Sequence, residues 1–247
     1  MIKRIAPEAD VIDITHGIAP QAVLQGALVL ANTLPYMPVG IHVAVVDPGV
    51  GGRRRPLAVR GEDGRVYVGP DNGLLLVAAD KLGGVEAAVE LANDTFRLEP
   101  VSMTFHGRDI FSPVAAHLAA GTGFDELGPS VAVDELTRLE IPRAEVGERR
   151  LRAIVLYIDR FGNVQLNASV EDLEAVGIVP GTEVEVEAGF DAFYAVTART
   201  FDDVRRGDVV LYEDAYRNVA LAVNGGSAAD MFSARPNREL RIRRRET

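Results

Sequence analysis

The chain has 247 residues, of which 47% are hydrophobic, and this suits a globular protein with one large or two smaller domains. Its 36 acidic residues outnumber its 26 basic residues and give a net charge of −10, which argues against a nucleic-acid partner. The absence of cysteine excludes disulfides, thiolate nucleophiles and cysteine metal sites.

The first 140 residues alternate strand and helix patterns. This alternation predicts an α/β domain with a mixed, largely parallel sheet flanked by helices. The predicted strands are 10–15, 41–46, 57–60, 65–69 and 85–91, and the predicted helices are 20–34, 73–82 and 110–120. We expect the strand at 41–46 to be buried on both faces, because it is almost continuously apolar.

Residues 140–150 are polar and contain Pro and Gly, so they are predicted to be a linker. Beyond them, residues 150–247 show short strand patterns interrupted by one helix near 169–176, which predicts a small β-barrel or β-sandwich domain. The predicted strands are 151–158, 163–167, 182–187, 192–197, 208–212, 218–223 and 239–243.

Hydropathy bears on where the protein acts. No run of 18 uncharged apolar residues is present, so we expect no membrane span. The first residues lack the apolar core of a signal peptide, so we expect a cytoplasmic protein.

Two polar segments of the first domain are candidates for chemistry, because open α/β sheets place ligands after their strands. In DPGVGGRRR, residues 47–55, Asp47 and Arg54 are close enough to pair across a glycine-rich turn. In TFHGRD, residues 104–109, His106 is a candidate acid, base or hydrogen-bond donor, and Gly107 permits close approach of a ligand. Read alone, a surface turn explains the first segment equally well, and a lone histidine such as His106 is more often structural.

A third segment of this domain, VGPDNG at residues 68–73, has a simpler interpretation. Asp71 precedes the predicted helix 73–82 and is expected to cap it. Capping would account for the segment without a catalytic role.

Two segments of the second domain have the composition of ligand-binding turns. In YIDRFGNV, residues 157–164, an exposed Phe161 beside Asn163 would suit a purine, by stacking and hydrogen bonding. In AVNGGSAA, residues 222–229, small residues could present backbone groups to a ligand edge. Ordinary tight turns are the alternative for both segments.

Metal and serine-triad chemistry lack sequence support. The four histidines show no metal-binding spacing, and there is no HExxH motif. A Gly-x-Ser-x-Gly elbow is also absent, so we expect neither a metal centre nor a serine nucleophile.

Taken together and in order, DPGVG followed by Arg, then PDNG, FHGRD, IDRFGNV and AVN–GSAA resemble the S-adenosyl-L-methionine hydroxide adenosyltransferases. These enzymes are relatives of the bacterial fluorinase and chlorinase. The resemblance implies hydrolysis of S-adenosyl-L-methionine to adenosine and methionine, without a cofactor. It also implies a homotrimer whose active sites lie between the first domain of one subunit and the second domain of its neighbour.

The resemblance also implies roles for individual residues. Asp47, Arg54 and His106 match a triad around the attacking water: Asp47 and His106 would hold the water and take up its proton, and Arg54 would keep Asp47 charged. The implied substrate-binding residues are Gly107, Asp159 (methionine amino group), Phe161, Asn163 (adenine), Val223 and Asn224 (backbone at the adenine edge) and Ser227.

Two details of the resemblance concern the reaction and the start of the chain. The fluorinase has Tyr at the position of Asp47 and Tyr-Ser at those of His106 and Gly107, so Asp47 with His106 favours water over a halide. Family members begin with a strand ending in Thr-Asp-Phe-Gly, whose Asp binds the ribose, and we expect this chain to start after that strand. The alternatives are a chlorinase-like enzyme and a non-catalytic protein that binds S-adenosyl-L-methionine or adenosine.

Overall fold

The computed structural model describes residues 1–245, which divide into two compact units, one from Met1 to Leu139 and the other starting at Glu140. The helices are α1 (Ile2–Ile5), α2 (Val23–Thr33), α3 (Leu74–Lys81), α4 (Ser112–Ala119), α5 (Val170–Ala175) and α6 (Ala228–Met231). The strands of the first unit are β1 (Ile41–Val43), β2 (Pro56–Gly61), β3 (Val66–Pro70), β4 (Val85–Glu90) and β5 (Ser130–Val131). Those of the second are β6 (Glu145–Val146), β7 (Arg150–Ile158), β8 (Val164–Leu166), β9 (Glu183–Ala188), β10 (Asp191–Thr197), β11 (Val209–Glu213), β12 (Val219–Val223) and β13 (Glu239–Arg244).

The first unit is a mixed five-stranded sheet with helices on both faces, in the order β1-β3-β2-β4-β5. Successive side chains of a strand point to opposite faces, so neighbours in β2 enter different cores. Leu57 and Val59 pack with α2 and α3 on one face, and Ala58 packs with α4 on the other. A π-helical segment, Gly107–Phe111, leads directly into α4.

Seven strands of the second unit close into a barrel. The strands run β13-β9-β10-β11-β12-β8-β7, and β13 also pairs with β7, so the described part of this ring has no open edge. Alternate residues of β7 (Leu151, Ala153 and Val155) point inward and are fully buried. The predicted barrel and all seven of its predicted strands are therefore confirmed.

The structure corrects several predictions for the first unit. Residues 10–15 form no strand, and Val11 and Ile12 are exposed with no neighbouring strand to pair with. The strand predicted at 41–46 is limited to β1, which lies at an edge of the sheet and is only partly buried. The sheet is mixed, but only the β1–β3 pairing is parallel, so the expectation of a largely parallel sheet is wrong.

The predicted linker is also partly wrong, because 140–150 contains β6, which pairs with β7. A two-residue strand is too short to give a period in the sequence. Within the described residues, no helix is long and apolar enough to cross a membrane.

The edge strand β1 carries a titratable group that links stability to pH. His42 lies opposite Tyr67 of β3, and burial and then the positive charge of Arg65 lower its pKa from the ordinary 6.5, although Asp63 partly offsets this. The folded protein therefore binds a proton at His42 less readily than the unfolded chain does. The contribution of neutral His42 to the free energy of unfolding is fully present above pH 6.5 and decreases as the pH falls towards the lowered pKa.

We therefore predict that H42Q loses less stability than the parent protein between pH 7 and pH 5, as measured by urea unfolding at several pH values. H16Q, at an exposed histidine that contacts Asp13, should follow the parent curve. Parallel curves for H42Q and the parent would show that His42 is not a source of acid sensitivity.

Candidate active site

The glycine-rich turn after β1 brings Asp47 and Arg54 into a buried ion pair. Arg54 Nε donates to both carboxylate oxygens at 3.0 Å, and Arg54 Nη2 donates to Asp47 Oδ2. The Asp47 side chain is 6% exposed and that of Arg54 is 9% exposed. Burying two charges carries a desolvation penalty of several kcal/mol per ion, so each charge depends on its partner.

His106 joins this pair through its ring nitrogen Nδ1, which lies 2.7 Å from Arg54 Nη2. A guanidinium has only donors, so Nδ1 must be the acceptor in this contact. A neutral His106 then carries its proton on Nε2 and can donate one hydrogen bond from that atom. Burial, followed by the charge of Arg54, lowers the pKa of His106 from 6.5, which favours this neutral form.

An aromatic ring completes the surroundings of Arg54. The guanidinium carbon lies 5.3 Å from the ring centroid of Phe111, which is fully buried in the core between the sheet and α4. A cation over an aromatic face is favourable where water is excluded. The Arg54 guanidinium therefore packs against the buried ring of Phe111. Sequence analysis missed this role because Phe111 fits an ordinary helix pattern.

Gly51 holds the glycine-rich turn against the loop that carries His106. Its φ is +73°, and a Cβ at this position would lie 2.4 Å from the carbonyl oxygen of Met103. No side chain fits there, so the turn and the loop lock together only with glycine. Gly107 has no such restriction, because a Cβ there would meet only Val45 at 3.8 Å, an ordinary contact.

Asp109 lies within the π-helical segment and holds the loop that precedes it. Its side chain is fully buried and accepts the backbone N–H of Ser102 at 2.8 Å, together with hydrogen bonds from Arg108. These contacts anchor the loop before His106 to the π-helical segment. π-helical turns of this kind are frequent at functional sites.

In the second unit, Asp159 organises the predicted ligand turn. Its Oδ1 accepts the backbone N–H groups of Phe161 and Asn163 at 2.8 and 2.9 Å. Its Oδ2 accepts Asn163 Nδ2 at 2.8 Å, which leaves the amide oxygen of Asn163 available as an acceptor. Phe161 is 65% exposed, and the guanidinium of Arg160 lies over its ring.

The second predicted ligand segment lies directly against this turn. A Cβ on Gly162 would lie 2.3 Å from Ser227 Oγ, and the Gly162 carbonyl accepts the N–H of Ala229 at 2.9 Å. The structure thus brings the segments 159–163 and 223–227 together within one unit. Ser227 Oγ accepts the N–H of Asp230, so its hydroxyl hydrogen is still available to a ligand.

Backbone groups at Val223 and Asn224 are already engaged within the unit. The Asn224 N–H donates to Asp208, its carbonyl accepts from Gly207, and the Val223 carbonyl accepts from Gly226. A ligand at the Asn224 backbone or the Val223 carbonyl could therefore use only the second lone pair of the carbonyl oxygen.

The described residues contain no cluster of three or more His, Cys, Asp or Glu side chains that could hold a metal ion. The first unit instead brings together one acidic, one basic and one imidazole side chain, those of Asp47, Arg54 and His106. Together with the separate barrel, this defines a class of two-unit α/β-plus-barrel proteins with a buried Asp–Arg–His group.

Comparisons with known proteins identify the family. The S-adenosyl-L-methionine hydroxide adenosyltransferase N-terminal domain matches residues 1–128, and the corresponding C-terminal domain matches residues 153–241. The chain belongs to this family.

Relatives and solved structures agree with this assignment. A protein of Salinispora arenicola named (R)-S-adenosyl-L-methionine hydrolase is 47% identical over 98% of this chain and 89% of its own length. A protein of the same name from Thermus thermophilus is 36% identical over 96% and 89%, and the fluorinase of Actinopolyspora mzabensis is 26% identical over 99% and 90%. A crystal structure of an uncharacterized conserved protein from Thermotoga maritima aligns with a TM-score of 0.89 at 33% identity, covering 98% of this chain and 92% of that one.

Gly51 gives a test of how the two loops are held together. G51A should lower kcat, because the new Cβ must displace the loop carrying His106. G64A is the matched control: it also has a positive φ, of +82°, but a Cβ there meets only Val39 at 3.9 Å. Both variants should lose roughly 1–2 kcal/mol from backbone strain. Only G51A should also lose turnover, measured with folded protein. Equal kcat values for G51A and G64A would show that the close contact of Gly51 with the loop of His106 does not matter for the reaction.

Proposed function

We propose that this protein hydrolyses S-adenosyl-L-methionine to adenosine and L-methionine. The observation that carries the proposal is the buried group of Asp47, Arg54 and His106, in which the imidazole is held as an Nε2 donor. The name of these relatives specifies the R configuration, and we propose the R form at sulfur as the preferred substrate.

The reaction suits a site that positions water. The oxygen of water attacks C5′ of the ribose in line with the C–S bond, and sulfur leaves with the bonding electron pair. Methionine departs as a neutral thioether, so the leaving group requires neither a proton nor a metal ion. The difficulty lies in holding a poor nucleophile in line, and positioning of this kind is worth roughly 7–11 kcal/mol.

Asp47 and His106 would hold the water from two sides. An oxygen of Asp47 accepts one hydrogen of the water, and His106 Nε2–H donates to its oxygen. After the C–O bond forms, the protonated 5′ oxygen is a strong acid and releases its proton to Asp47, then to solvent. His106 acts as a donor here. This revises the hypothesis that His106 takes up the proton, because its unprotonated nitrogen, Nδ1, already accepts a hydrogen bond from Arg54.

The segments of the second unit would bind the substrate. The amide oxygen of Asn163 would accept the adenine amino group, Phe161 would stack on the purine, and Asp159 would pair with the methionine amino group. What supports this is that the Asn163 oxygen is left available by the Asp159 contacts. Gly107, Val223, Asn224 and Ser227 are proposed as further substrate contacts through backbone or hydroxyl groups.

We also propose a homotrimer in which each site combines the first domain of one subunit with the second of a neighbour, and we propose that the protein acts in the cytoplasm. The trimer rests on the family resemblance, and the location rests on the hydropathy of the chain.

A product assay tests the reaction. The protein should convert the R form of S-adenosyl-L-methionine to adenosine and methionine, detected by chromatography, at a higher rate than the S form. In molar chloride, 5′-chloro-5′-deoxyadenosine as the main product would replace the proposal with a chlorinase-like activity. Tight adenosine binding without any product would point to a binding protein instead.

D47N tests the role of the carboxylate. We expect kcat to fall about a hundredfold to ten-thousandfold, the usual contribution of a proton acceptor, with KM nearly unchanged. D80N is the control, because Asp80 forms an ion pair with Arg138 on the surface. Full turnover in D47N would remove Asp47 from the mechanism.

The pH dependence of kcat tests the protonation state of His106. Burial lowers the pKa of His106 most, the charges of Arg54 and Arg97 lower it further, and those of Asp47 and Asp109 raise it. Protonation removes the acceptor for Arg54, so we expect the acid limb to lie below pH 6.5. R54Q should move that limb to higher pH, and R97Q should move it less. An acid limb unchanged in R54Q would contradict the assignment.

A further inference from the structure

The turn between β3 and α3 contacts the chain on both sides of the Asp47–Arg54 pair. Building on the proposed function, we propose that Asp71 and Asn72 are positioning residues that set the geometry of this ion pair. In the described structure, the side-chain hydrogen bonds of these two residues go to partners other than Asp47 and Arg54. Each instead holds the residue next to one of them in the chain.

Asn72 holds the approach to Asp47. The last sheet contact of the strand before Asp47 is the Ala44 N–H, which donates to Val68 O at 3.0 Å. Beyond it, Asn72 Nδ2 donates to the carbonyl oxygen of Val46 at 2.8 Å, and Val46 directly precedes Asp47. The strand end that carries the carboxylate is thus tied to the turn by a side-chain amide.

Asp71 holds the segment that leaves Arg54. Its backbone N–H donates to Arg55 O at 2.9 Å, and its Oδ2 accepts Arg55 Nε at 2.8 Å. Its other carboxylate oxygen accepts the N–H of Thr137 at 2.9 Å, and its side chain is only 6% exposed. Arg55 directly follows Arg54, so the chain end that carries the guanidinium is fixed from the same turn.

Helix capping does not account for these contacts. Asp71 accepts nothing from α3, which corrects the prediction that it caps this helix. The N–H group at the start of the helix is capped by Asn72, whose Oδ1 accepts the Leu74 N–H at 3.2 Å. The Nδ2 group of the same amide donates to Val46 O instead, a hydrogen bond that plays no part in capping the helix.

The two contacts together define the separation of the pair. Asp47 and Arg54 lie at the two ends of a glycine-rich turn that has considerable conformational freedom. Fixing Val46 and Arg55 from two consecutive residues sets the distance between the ends of that turn. A misplacement of about 1 Å in a reacting constellation can lower the rate about a hundredfold.

N72S separates the two functions of the amide. Serine can still accept the Leu74 N–H but is too short to reach Val46. We expect kcat to fall roughly 10- to 100-fold, with little change in KM or in the melting temperature. Asn93 is a close control, since its Nδ2 donates to Glu126 O at 2.8 Å and its Oδ1 accepts Thr95 N–H at 3.1 Å, the same pattern outside the site. N93S should keep the parent kcat.

A double-mutant cycle distinguishes positioning from general structural damage. If Asn72 acts through Asp47, N72S should have almost no further effect on kcat in the D47N background. The same loss in both backgrounds, or the same loss in N72S and N93S, would overturn the proposal.

One readout does not depend on turnover, so the proposal can be tested even if the assigned reaction is wrong. A crystal structure of N72S should show the Asp47 carboxylate displaced from Arg54, whereas that of N93S should not. An unchanged ion pair in N72S would overturn the positioning role, whatever the substrate is.

Discussion

The burial of two opposite charges, Asp47 and Arg54, is the constraint on which the rest of the first unit depends. A buried ion pair is weak evidence for stability, because apolar replacements are often as stable, but removing one partner alone is costly. The surroundings reflect this: the guanidinium meets the carboxylate, an imidazole nitrogen and an aromatic face. Stability alone does not account for such a site, and here it presents one acceptor and one donor.

This combination selects among nucleophiles. Water needs an acceptor for its hydrogen and tolerates a donor at its oxygen, and in the proposed function Asp47 and a neutral His106 would supply both. A halide ion carries a negative charge and accepts hydrogen bonds only, so a carboxylate beside it is repulsive. The more distant fluorinase relatives, which are 26–28% identical to this chain, therefore do not define its nucleophile.

The sequence predicted elements with strong local signals and missed features that depend on distant partners. The barrel strands, α3 and the strands β2 and β3 have clear local patterns, and all were found. The prediction of a strand at 10–15 is wrong because these residues have no neighbouring strand to pair with. The presence of a pairing partner cannot be read from the local sequence pattern. Asp47 and Arg54 were found because they share one turn, and His106 was linked to them only by resemblance. Asp71 was misread as a cap, since its partner Arg55 is brought to it by the pairing of β2 with β3.

The most direct test of the account is the tautomer of His106, measured by nitrogen NMR of protein labelled at its histidine ring nitrogens. At pH 7 and above, the account predicts a neutral ring with hydrogen on Nε2, a bare Nδ1 that accepts from Arg54, and loss of this signature in R54Q. A ring that carries hydrogen on Nδ1, or one that is doubly protonated at pH 7, would contradict the proposed arrangement around the water.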